Sequence, residues 1–319
     1  MSSGVLLSVA LPLLRLRSGQ GSFVSWSNQD LAAAVLWGMK TLLALALTLA
    51  PTPVPAHDDV QLQTAGNCRF GTMWIVTGDW DGKGGDGVGF VDASGSTLKW
   101  TVRNALSAGP ADKTFNFGEK SAAPLVGNWD GAAGDGIGTA DTSKGAELQW
   151  KIRNSASAGA AEKTFSFGPS NSRYAVAGDW DGKSGDGIGV VVESGNDFEW
   201  RVRNSVGAGS PSKIFPFGTK AESAEVGNWD GSSGDGIATV SRGDGLGFKL
   251  RNNVSAGSAN HSFNFGSGKT DCPVTGDWDG DGVDTVGIVR LVQVGNDIVR
   301  EWQLRNSNSA GAADVVFRF

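Results

Sequence analysis

GDWDGKGGDGVGFVDASGSTLKWTVRNALSAGPADKTFNFG, residues 78–118, is the stretch from which the fold can be read. Its landmarks are Gly78-Asp79-Trp80-Asp81-Gly82, then Trp100-Thr101-Val102-Arg103-Asn104, then Phe115-Asn116-Phe117. From about Gly66 to the end the chain repeats this unit five times. The leading tryptophans, Trp80, Trp129, Trp180, Trp229 and Trp278, are 49, 51, 49 and 49 residues apart. The second landmark recurs at Trp150–Asn154, Trp200–Asn204 and Trp302–Asn306, while the fourth copy has Phe248 leading to Arg251 and Asn252. Phe165/Phe167, Phe215/Phe217, Phe263/Phe265 and Phe317/Phe319 close the remaining copies.

Each unit reads as four strands. In the third copy Tyr174–Gly178 is short and apolar, and an Asp-rich turn follows. Ile188–Glu193 is a β-branched run ended by Ser194-Gly195-Asn196, and Phe198–Arg203 alternates, with Trp200 and Val202 on one side. Lys213–Phe217 puts two Phe side chains on one face at a period of two. Four short strands per repeat of about 49 residues is the arithmetic of a propeller blade, which cannot bury its aromatic face alone. The expected fold is all-β, a five-bladed β-propeller over residues 66–319. An open stack of β-units is the other architecture.

Composition agrees with this outline. Of 319 residues 48 are glycine, about twice average usage, which suits many tight turns. A formal charge of −6 and a pI near 5.0 leave no electrostatic footprint for a nucleic-acid partner. Two Cys and two His offer little for zinc or for thiol and imidazole catalysis.

Residues 1–56 differ from all that follows. Met39-Lys40-Thr41 leads into an apolar run, and Val54 and Ala56 precede His57, which is a secretory signal pattern. Translation is expected to start at Met39, with residues 1–38 an upstream extension, cleavage after Ala56 and a short segment at 57–65. Cleavage would leave no stable membrane span. The competing reading joins Leu31–Met39 to Thr41–Ala50 as a signal anchor, against which Lys40 counts at roughly 2.5–3.5 kcal/mol. Either way the repeats lie outside the cytoplasm.

The copies alternate. The first and third carry Asp-Trp-Asp-Gly-Lys (Asp79, Lys83; Asp179, Lys183), and the second and fourth carry Asn128 and Asn228 with small residues after the turn. Cys68-Arg69-Phe70-Gly71 lines up with a closing strand such as Phe115–Gly118. Cys272 lies just before the first strand of the fifth copy. In a closed ring these copies are neighbours, so a Cys68–Cys272 disulfide is one expectation and two free or buried thiols the other.

The fifth Asp-rich turn reads Asp277-Trp278-Asp279-Gly280-Asp281-Gly282-Val283-Asp284. Carboxylates at alternate positions, with glycines for a tight wrap, suit Ca²⁺, which takes roughly six to eight oxygen ligands. This pattern after Phe265-Gly266 resembles the FG-GAP and VCBS-type propeller repeats, and the resemblance covers all five copies. It implies an extracellular β-propeller, Ca²⁺ in this loop, and adhesion or ligand recognition. The expected ligands are Asp277, Asp279, Asp281 and Asp284, although the family's last acidic ligand stands at the ninth loop position and Asp284 is at the eighth. The counterparts of Asp281 are Lys83, Ala132, Lys183 and Ser232. In those loops the aspartates are expected to cap turns through backbone N–H groups, with Lys83 and Lys183 as internal counter-charges.

Arg103, Arg153, Arg203, Arg251 and Arg305 recur in register. They are expected to satisfy carboxylates or carbonyls of a neighbouring strand, the alternative being a ring for acidic glycans. The repeated Trp and Phe are read as packing between blades, against carbohydrate stacking. Function is sought where copies differ. There is no Gly-x-Ser-x-Gly elbow, and His57 and His261 are isolated; Asn253-Val254-Ser255 and Asn260-His261-Ser262 are glycosylation acceptor patterns. The overall expectation is a secreted, non-catalytic binding or adhesion module. Its partners would be extracellular glycans or proteins, engaged multivalently and lectin-like, with calcium in the fifth loop. The opposing readings are an extracellular hydrolase or lyase, or a structural surface protein.

Overall fold

Alternation of apolar and polar residues drives the local structure. Thr97–Arg103 buries Leu98, Trp100 and Val102 and leaves the residues between them outward, and Glu147–Arg153 and Asp197–Arg203 repeat this pattern. A computed structural model describes residues 62–64, 68–183 and 185–319; the signal sequence expected within residues 1–56 lies outside the described residues.

Each copy is a four-stranded antiparallel sheet. In blade 1 the strands run from inner to outer as Met73–Gly78, Gly87–Asp92, Thr97–Arg103 and Lys113–Glu119. Blade 2 has Ala123–Gly127, Gly136–Asp141, Glu147–Arg153 and Lys163–Pro169, and blade 3 has Tyr174–Gly178, Gly187–Ser194, Asp197–Arg203 and Lys213–Thr219. Blade 4 has Glu222–Gly227, Gly236–Arg242, Leu246–Arg251 and His261–Phe265, and blade 5 has Cys272–Gly276, Thr285–Val294, Asp297–Leu304 and Val315–Arg318. The protein is a five-bladed β-propeller.

The core lies between blades. Trp74, Trp80 and Trp100 of blade 1 pack with Ala123 and Ile137 of blade 2, and equivalent clusters fill the next three boundaries. The fifth cluster joins Trp278 and Trp302 of blade 5 to Ile75 and Val88 of blade 1, so the ring is closed and the open stack is excluded. Within each blade the third-strand aromatic stacks on the outer-strand Phe. The pairs are Trp100–Phe115, Trp150–Phe165, Trp200–Phe215, Phe248–Phe263 and Trp302–Phe317, with centroids 5.6–6.4 Å apart. Such a pair adds about 0.5–1.5 kcal/mol beyond its burial. The indole N–H groups of Trp100, Trp150 and Trp200 donate to the carbonyls of Phe117, Phe167 and Phe217 at 2.9 Å.

The glycine after the second Phe has a physical role. Gly118 sits at φ +92°, and a Cβ there would come within 2.5 Å of Thr139 Cγ2 in the next blade. Gly218 repeats this against Thr239 at 2.4 Å.

Two short additions involve the N-terminal side. Arg69–Phe70 pairs antiparallel with Met73–Trp74, so this segment extends blade 1 rather than completing blade 5, which keeps its own outer strand. Gln63–Thr64 pairs in parallel with Tyr174–Ala175 on the inner edge of blade 3. Cys68 and Cys272 form a disulfide, Cα atoms 5.4 Å apart, within the fifth inter-blade core. A disulfide there suggests an oxidising compartment. No helix among the described residues is long and apolar enough to cross a membrane.

Candidate functional site

The last aspartate of every Asp-rich turn does something the local sequence does not reveal. Asp135 Oδ2 accepts the backbone N–H of Asp79 in the preceding blade at 2.8 Å, and Asp135 N–H donates to the Asp79 carbonyl at 2.7 Å. The reciprocal pair recurs as Asp186 with Asn128, Asp235 with Asp179, and Asp284 with Asn228. Asp86 with Asp277 completes the circle between blades 1 and 5. These five aspartates are staples between blades.

The five carboxyls also line an axial cavity of about 120 Å³, walled by the C-terminal ends of the inner strands. Burial pushes the carboxyls of Asp135, Asp235 and Asp284 up to about 7. Burial first, then repulsion from other ring members, raises Asp86 and Asp186 well above the usual carboxylate range. The accepted backbone N–H pulls the other way without reversing the shift.

Ahead of these staples the loops behave as turn caps. Asp79 Oδ1 accepts from Gly82 N–H at 2.8 Å and Oδ2 from Gly84 N–H at 3.0 Å. Lys83 reaches Asp81 at 3.0 Å, and Lys183 reaches Asp181 at 3.4 Å, so each ammonium sits in its loop as a counter-charge. A hydrogen bond from the ammonium leads the causes that hold Asp81 below the usual range.

In the fifth loop Asp277, Asp279 and Asp281 converge, with one carboxylate oxygen from each mutually within 4.8 Å. Asp277 is half-buried and accepts from Gly280, Asp281 and Gly282 N–H groups, which aims its carboxylate into the loop. Asp279 and Asp281 are exposed. The fourth expected ligand, Asp284, is placed elsewhere: its carboxylate lies on the axial cavity and holds Asn228 N–H at 2.7 Å. Three acidic oxygens so placed could hold a metal ion.

The recurrent arginines turn back on their own loops rather than to a neighbouring strand. Arg103 donates to the carbonyls of Ser107 and Pro110, Arg251 to those of Ser255 and Ser258, and Arg305 to those of Ser309 and Ala312. A guanidinium fork matches several convergent carbonyls, so each Arg organises the turn that follows it.

Two consecutive blade boundaries open into matching clefts. Between blades 2 and 3 a cleft of about 270 Å³ is lined by Glu147, Phe167, Gly168, Val190, Arg201 and Gly209. Between blades 3 and 4 a cleft of about 400 Å³ uses the equivalent Asp197, Phe217, Gly218, Thr239, Lys249 and Gly257. Each therefore sets a carboxylate and a cation beside a buried Phe, and the second cleft adds Glu222, which pairs with Lys249 at 2.7 Å. At the boundary of blades 1 and 2 Glu119 bonds both Lys144 and Lys151, at 2.5 and 2.9 Å, across this position.

No family model, no curated protein and no solved structure matches the chain. The geometry above carries the functional reading by itself. Sequence reasoning located the Asp-rich turns and missed the axial staples, whose partners lie 56 or more residues away. The recurring Asp-Gly at Asp86, Asp135, Asp186 and Asp235 was the available signal, since its Asp survives even in loops that lack the third acidic position.

Proposed function

We propose that the propeller is a secreted, non-catalytic recognition module that binds extracellular ligands multivalently, with carbohydrate the first class and protein the second. The observation supporting this is the duplicated cleft. One set of residue types, a carboxylate, a cation and a buried aromatic, recurs at adjacent blade boundaries on a rigid ring. Two equivalent weak sites on one scaffold raise avidity without new contacts. The disulfide-closed ring supports an extracellular setting.

A glycan array probed with wild type, Glu147→Gln, Asp197→Asn and the double variant tests the reading. Each single substitution is expected to lower apparent affinity, and the double to remove binding of the same glycans. Wild-type binding by the double variant, at unchanged stability, would sink it.

Calcium belongs to this proposal at Asp277, Asp279 and Asp281. A ligand held only by the native state raises the unfolding midpoint. Ca²⁺ is expected to raise the midpoint over that in excess EDTA for wild type and not for Asp281→Ala. Equal midpoints in wild type would remove the ion from the loop.

A further inference from the structure

A wide opening lies on the face opposite the Asp-rich turns, where each chain segment enters an inner strand. It is a groove of about 1020 Å³ across blades 1 to 3. Its cations come from three separate places: Arg69 before blade 1, Lys120 in the connection to blade 2, and Arg173 in the connection to blade 3. Glu193 is the only carboxylate in its lining.

Arg173 marks a departure from the repeat. Five residues before the glycine that ends each inner strand stand Met73, Ala122, Arg173, Glu222 and Asp271. In blade 4 Glu222 pairs with Lys249 at 2.7 Å, and in blade 5 the fully buried Asp271 pairs with Arg290 at 2.7 Å. Those blades neutralise the position internally. Arg173 instead packs over the Tyr174 ring at 5.8 Å, and its buried Nε has no hydrogen-bond partner. Neither Arg173 nor Lys120 forms an ion pair among the described residues. Nε itself is closed off from the groove, but Arg173 as a whole is only half-buried and lines the groove, so its charge is presented there with no carboxylate among the described residues paired to it.

We infer that this groove binds an acidic oligosaccharide, a saccharide chain carrying carboxylate or sulfate groups. A planar guanidinium takes an oxyanion through two parallel hydrogen bonds, and Lys120 adds a point charge. Lys120 and Arg173, on separate blade connections, match anionic groups spaced along a chain rather than one compact anion. Hydroxyl and amide groups of Ser143, Ser170 and Asn171 share the lining with Leu62 and Trp74, a mixture that suits the hydroxyls and the apolar ring faces of a sugar. The volume stands at the upper end of the roughly 300–1,000 Å³ of ligand sites, room for more than one saccharide unit. This site is distinct from the inter-blade clefts.

Calorimetric titration of the full chain with a sulfated heparin-derived octasaccharide, an oligogalacturonate and a poly-glutamate peptide of similar length tests the assignment. At least one acidic saccharide is expected to bind, more weakly as salt is raised. Arg173→Ala combined with Lys120→Ala is expected to weaken binding about tenfold or more. The melting midpoint should not fall, because blade 2 already carries Ala122 at the position of Arg173. Glu147→Gln with Asp197→Asn should leave this binding intact, which separates the groove from the clefts. The assignment fails if neither saccharide binds or if the Arg173/Lys120 variant binds as wild type does. Poly-glutamate binding as tightly as the saccharides overturns the choice of a glycan.

Discussion

A Cβ on Gly187 would lie 2.1 Å from the carbonyl oxygen of Arg203 and 2.7 Å from Cδ1 of Trp180. Gly87, Gly136 and Gly236 meet the same carbonyl of their own third strands at 2.3 Å. Where the fifth copy has Thr285, pairing of the second and third strands begins one residue later, at Gly287 with Leu304. Gly187→Ala is therefore expected to destabilise the fold by about 1–3 kcal/mol through overpacking against backbone. Urea denaturation reads this as a lower midpoint; a midpoint equal to wild type would mean the strand can shift freely. The Asp-Gly pair was legible as a turn, but the need for its glycine was not. That need arises from a carbonyl on another strand, and nothing in the neighbouring residues encodes it.

At blade boundaries hydrogen bonding and charge oppose one another. The ring aspartates hold the next backbone N–H, yet burial raises their folded pKa above the unfolded value near 3.9. For a raised carboxyl the stabilising contribution is complete below the unfolded pKa and is lost as pH rises through the folded one, here about 7. Glu119 and Glu301, held low chiefly by hydrogen bonds from Lys144 and Gln303, act in the opposite sense and only in stronger acid. The melting temperature is thus expected to be higher at about pH 5 than at about pH 8. Asp135→Asn keeps the acceptor for Asp79 N–H and removes the charge, so it should raise the midpoint at the higher pH. Asp135→Ala, which orphans that N–H, should lower it in acid. A wild-type midpoint that increases from pH 5 to pH 8 would contradict the account.

The whole ring is shut by three devices at one seam: the reciprocal Asp86–Asp277 bonds, the fifth aromatic core and the Cys68–Cys272 disulfide, which spans 204 residues of sequence. Cross-linking so long a loop restricts the unfolded chain, a stabilisation of about 3–5 kcal/mol. Cys68→Ser with Cys272→Ser is expected to fold and to unfold at a clearly lower temperature. An unchanged midpoint would show that the other two devices close the ring unaided. The cysteine pair was readable from the repeat because ring closure makes the first and fifth copies neighbours. The sequence left buried thiols as an equal alternative, since a Cα–Cα distance exists only in the folded ring.

Strand number, blade number, the aromatic cores and the turn caps were all written in the chain. Alternation at a period of two and recurrence at about 49 residues are local properties, repeated often enough to be unambiguous. The axial staples, the return of each Arg to its own loop, the duplicated clefts and the basic groove emerged from packing. Asp284 illustrates the division: its place in an acidic turn was plain, but its partner is Asn228 of the preceding blade, and only closing the ring brings the two together. Residues separated by a whole blade acquire their roles from where the sheets meet, and a linear reading holds no term for that distance.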